Sequence, residues 1–132
     1  MRHFLLEFEA NYGQNPDKEL AKKNEWASEC LYELEYSSPE LTFLSVLELV
    51  AQIKTREQAA FVGAGSLENI IAKNGDQFID RIEEHARKSP RFRYVLTGVW
   101  PQGQQDSPVW VRVEKARKGS PTIDETDQLP EF

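Results

Sequence analysis

Apolar residues recur at steps of three and four through residues 58–100, QAAFVGAGSLENIIAKNGDQFIDRIEEHARKSPRFRYVLTGVW. Leu67, Ile70 and Ile71 make one stripe. Phe78, Ile79, Ile82 and Ala86 make a second, and Phe92, Val95, Leu96 and Val99 a third. Gly63, Gly65, Gly75 and the Ser89-Pro90 pair separate them. Such spacing puts each stripe on one face of a helix, so the pattern predicts short helices folded around a shared interior.

The remaining chain reads the same way. Residues 2–10 fit a helical face (Phe4, Leu5, Phe8) and an alternating one (Phe4, Leu6, Phe8); Leu, Glu and Ala favour helix. Asn15-Pro16 has the chemistry of a helix start, with Asp17 and Glu19 in the first turn, and the helix is expected to run to about Ser37. Its inward face is expected to be Leu20, Ala27, Leu31 and Leu34. Ser37 with Glu40 has capping-box spacing ahead of an apolar run from Leu41 to Ile53. That run is apolar on more than one face, which suits a central helix. Thr55 with Gln58 is a second capping box, and Gly63 is expected to close the helix in the left-handed conformation. Ser66 is expected to cap the next helix, Gly75 to close it, and Asp76 to cap the one after. Ser89-Pro90 restarts the chain and Pro101 stops it. Asp106 or Ser107 ahead of Pro108 marks a last helix with a Val109, Trp110, Val113, Ala116 stripe; a strand over 109–113 competes with it, because VWVRV also alternates.

Composition narrows the class. The 132 residues suit one domain with a real core. We expect an all-α fold over residues 1–119, either a compact multi-helix bundle or a short solenoid-like array, followed by a flexible acidic tail over 120–132 that is disordered or loosely laid on the surface. The net charge of −6 disfavours general nucleic-acid or anionic-membrane binding and suits a basic protein partner. One cysteine, Cys30, rules out an internal disulfide and any cysteine-based metal set. The apolar patch near the amino terminus is too short and too acidic for a signal peptide, and no run reaches the length of a membrane span, so a cytoplasmic setting is expected.

No catalytic set and no cofactor motif stands out. Gly63-Ala64-Gly65 lacks the Lys-Ser/Thr of a phosphate-binding loop and reads first as a turn. His85 has no accompanying nucleophile, and only His3 and His85 are available as imidazole ligands. The candidate contact residues are Glu68, Arg81, His85, Arg91, Arg93, Trp100 and Trp110. Trp100, ahead of Pro101, is expected to anchor the end of the core block. An exposed tryptophan among Trp26, Trp100 and Trp110 would be the strongest interface residue.

The stretch from Gly63 to Trp100 resembles a bacterial family of small domains of unknown function. Its pattern is GAGPLE, a glycine, FIDRIE, AR, FR and VW. The matching positions are Gly63 to Glu68, Gly75, Phe78 to Glu83, Ala86-Arg87, Phe92-Arg93 and Val99-Trp100, with Ser66 in place of the usual proline. The resemblance implies a small α-helical domain and no activity.

The leading expectation is a non-catalytic protein-binding domain of immunity or antitoxin type. The second is a small-ligand protein or enzyme with a cleft near the Gly-Ala-Gly turn, using Glu68, His85 and nearby arginines. The third is a nucleic-acid accessory protein using its arginine-rich faces.

Overall fold

Polar side chains just ahead of five of the seven helices mark where the chain begins to coil. The structure is a computed structural model that describes residues 1–132, and every regular element in it is helical. The helices are α1 (Arg2–Tyr12), α2 (Lys18–Ser37), α3 (Pro39–Gln52), α4 (Arg56–Val62), α5 (Glu68–Lys88), α6 (Pro90–Leu96) and α7 (Pro108–Arg117). None is long and apolar enough to cross a membrane. Thr55, Ser89 and Ser107 accept the amides of Gln58, Phe92 and Trp110, as the sequence leads one to expect. Each such cap stabilises its helix by about 0.5–2 kcal/mol. Two caps lie further along than expected. Asp17, not Asn15, takes the amides of Glu19 and Leu20, while its own amide donates to the Ala10 carbonyl. Ser38, not Ser37, caps α3; the Ser37 hydroxyl donates back to the Glu33 carbonyl as part of the last turn of α2.

The chain divides into two compact units, Met1–Ile53 and Lys54–Phe132. In the first, α1, α2 and α3 pack on one another. His3 Nδ1 lies 2.9 Å from Asn24 Oδ1, and Glu7 accepts from the Ser28 hydroxyl and amide at 2.8 and 3.2 Å. Ala21, Asn24, Ala27 and Leu31 are the buried residues of α2, so Leu20 faces outward against expectation. This unit carries the whole net charge: four basic residues against ten acidic, whereas Lys54–Phe132 has twelve of each. Residues 24–53 contain six acidic side chains and no Lys, Arg or His. Glu25, Glu29 and Glu33 follow one another at i,i+4, which costs a helix about 0.2–0.5 kcal/mol per pair. Glu33 and Glu35 also sit toward the negative end of the α2 dipole, where the last turn holds no basic residue.

In the second unit, Phe78, Ile82, Leu96, Val95, Phe92 and Val113 are almost wholly buried. Each stabilises the fold by about 1.5–3 kcal/mol relative to exposure. Gly63 does not close α4. The kink lies at Gly65 (φ −100°, ψ −109°), with Ser66 buried just beyond it, whereas Gly63 is right-handed (φ −64°, ψ −51°) and part of the continuing coil. The glycine is needed for a different reason: a Cβ there would stand 2.5 Å from the Val95 carbonyl oxygen. The break in α5 falls at Asn74 (φ −134°, ψ 28°), one residue before the expected glycine, and Gly75 seats Val109 of α7, whose Cγ1 would lie 2.7 Å from a Cβ. Residues 109–113 are helical, which excludes the strand. Arg112 of α7 grips α5 through Asp80 and both oxygens of Glu83.

The acidic tail is not a disordered end. Ile123 donates its amide to the Thr97 hydroxyl, Thr126 accepts from the Tyr94 hydroxyl, and Arg91 donates to the carbonyls of Pro130 and Glu131. Those partners are main-chain groups, so the tail is held along α6 despite having little apolar content of its own.

Two outcomes follow from this packing. Gly63→Ala should cost about 1–3 kcal/mol, because the added methyl meets backbone rather than a movable side chain; urea unfolding measures it, and an unchanged midpoint would refute the close approach. The Arg112 hydrogen bond holds the Glu83 carboxyl below the usual carboxylate range, ahead of the opposing effect of burial. A depressed folded pKa gives stability that is present above the unfolded value and lost as pH falls through the folded one. Arg112→Ala should therefore lower the melting temperature at neutral pH and flatten its decline on acidification below about pH 4.3.

Candidate interaction site

The segment after α6 leaves the core under close control. Arg117 Nη1 donates to the carbonyls of Leu96 and Val99 at 3.1 and 2.9 Å. Its guanidinium carbon lies 4.8 Å from the centre of the Trp110 ring, a cation–π distance. Trp110 is buried and donates its indole N–H to Glu114 at 3.0 Å. The next group along the chain is the Trp100 amide, which donates to Glu68 Oε1 at 2.7 Å. The other oxygen of Glu68 accepts from the Gln102 side-chain amide at 2.8 Å.

Between them the backbone makes a tight reversal. Gln104 donates its amide to the Pro101 carbonyl at 2.9 Å, with Gln102 at φ 49° and Gly103 at φ 82°. Positive φ at both central positions is the type I′ turn. Gly103 adopts it freely, whereas Gln102 is strained there and its side chain is tied to Glu68. The Trp100 ring is thus carried on a backbone fixed from both sides, yet its residue is 71% exposed. Trp100 does not anchor the core as expected; the carboxylate of Glu68 holds its amide at the rim, and the indole stands outside it.

The other candidate residues go elsewhere. Arg81 lies over the Phe78 ring at 5.5 Å. The His85 ring is 5.7 Å from that of Phe92, and burial pushes its pKa below the usual imidazole value. Arg91 holds the tail, and Arg93 donates to the Ala86 carbonyl. The structure therefore brings together Glu68 and Trp100, with Trp110 supporting the same loop through Arg117. A cavity of about 470 Å³ opens at the break in α5, lined by Lys73, Asp76, Gln104, Ser107 and Val109 among others, and includes none of the candidate residues. Sequence reasoning missed Gln102 and Arg117. The Pro-Gln-Gly-Gln order was the available signal for the turn; nothing local marks Arg117, because its acceptors lie about twenty residues away.

If Glu68 is what fixes this loop, Glu68→Ala should raise the amide exchange rate of Trp100 at least about tenfold while leaving the exchange of Ile82 and Val113 unchanged. Exchange of Trp100 at the native rate would mean that the carboxylate is dispensable.

No curated protein and no solved structure matches the chain. A family model does match residues 14–121, most of its length, and its description is a family of unknown function. That span takes in α2 to α7 and the whole Glu68–Trp100 loop, and on it the chain belongs to the family DUF6869.

Proposed function

We propose that the chain is a non-catalytic protein-binding domain that engages its partner through Trp100. The single observation behind this reading is the exposed indole on a loop fixed by Glu68. A tryptophan left in water forgoes the burial its ring offers, and a backbone already ordered reduces the entropy lost on binding. Tryptophans in that setting are the residues that most often carry interface energy. A role of immunity or antitoxin type fits the small size and the net charge of −6, which favours a basic partner by charge complementarity. A cytoplasmic setting fits the same reading, with Cys30 free and exposed.

The test is capture of partners from the source cell on immobilised wild-type protein and on Trp100→Ala. Because the ring is exposed, the substitution should change stability by less than about 0.5 kcal/mol. A specific partner should be retained by the wild type and lost, or weakened by at least about thirtyfold (2 kcal/mol), on the variant. Equal retention by both would sink the role of Trp100.

A further inference from the structure

We propose that the outward face of α2 is a separate docking surface for an arginine- or lysine-rich protein segment. Glu25, Glu29 and Glu33 recur at steps of four, and Tyr32 and Tyr36, also four apart, each lie three residues from one of them, so all five share one broad face of the helix. That face lies away from the buried row of Ala21, Asn24, Ala27 and Leu31. All five residues are exposed, and Tyr32 and Tyr36 are 64% and 78% so.

Two independent features of this face point to the same occupant. The first is charge that works against the helix itself: three glutamates repel one another at i,i+4, and the chain places no basic residue anywhere from Asn24 to Ile53. Exposed positions that break a local rule without a compensating gain in the free chain are expected where a partner supplies the compensation. The second is the pair of tyrosines set among those carboxylates. Their rings offer flat apolar area and a negative face, which suits guanidinium and ammonium groups through cation–π contact. Carboxylates alone would attract any cation. Carboxylates alternating with exposed rings select side chains that combine positive charge with an apolar stem. The arginine-rich segment is therefore the fitting occupant.

This inference rests on the reading of the chain as a protein-binding domain, but on a different surface from Trp100, so the two can fail separately. The probe is a fluorescein-labelled helical peptide of arginine and alanine, titrated by anisotropy against the full chain at low and at physiological salt. Wild-type protein should bind it, more weakly at the higher salt. The E25Q/E29Q/E33Q and Y32A/Y36A variants should each weaken binding by at least about tenfold. D124N/D127N/E131Q, which removes the same charge from the tail, should stay within about twofold, as should W100A. Circular dichroism should show the glutamine variant with α2 intact, since the substitutions relieve repulsion. The proposal is overturned if the wild type fails to bind, if the tail variant loses as much as the α2 variant, or if the tyrosine variant binds like wild type. It is also overturned if sedimentation shows that the face is covered by a second copy of the chain.

Discussion

The handover from core to surface at residues 96–102 depends on two side chains with opposite charge. Arg117 satisfies the last carbonyls of the core block, and Glu68 takes the first amide beyond it. Between Leu96 and Trp100 the chain leaves a helix without starting another, so its polar main-chain groups need partners or water. Supplying those partners from α7 and α5 ties three stretches distant in sequence to one short loop. Remove either group and a carbonyl or amide at the rim is left to solvent, and the loop loses the fixed geometry that displays Trp100.

The arginines show how far a cluster of like residues in sequence can disperse in space. Arg91, Arg93, Arg112 and Arg117 suggest a basic face when read along the chain, and Arg81 is a candidate contact residue beside them. In the fold they are distributed to Phe78, the tail, the Ala86 carbonyl, two carboxylates of α5, and the turn before Trp100. A guanidinium has five donors in a fixed fork, so it suits main-chain carbonyls that no hydrogen-bonded element satisfies. The second unit uses these five arginines in its own contacts and is neutral by count, which leaves the net charge of the molecule on the first unit.

Helix identity was legible because apolar periodicity is read over many residues. The stripes at Phe78–Ala86 and Phe92–Val99 are buried as the spacing required, and Ser89 and Ser107 ahead of proline were unambiguous starts. Caps were misplaced where two candidates adjoin, as with Asn15 and Asp17 or Ser37 and Ser38, since the choice depends on which hydroxyl or carboxylate the incoming chain aims at the amides. Gly63 was misread for another reason. A glycine can serve conformation or proximity, and only the location of the Val95 carbonyl distinguishes them. Of the candidate site, Glu68 and Trp100 were visible as residues, but not their contact, which spans 32 positions. The tail was misjudged because its anchors are carbonyls and amides, which every sequence possesses.

The three tryptophans occupy three unlike surroundings, and this gives the molecule a built-in optical record of itself. Trp26, half-exposed beside the His3 ring at 5.1 Å, reports on the amino-terminal unit; Trp110, enclosed beneath Arg117, reports on the other; Trp100 emits from water. Whether the two units melt as one body or in succession can thus be read from the unlabelled chain, as coincident or separated fluorescence transitions.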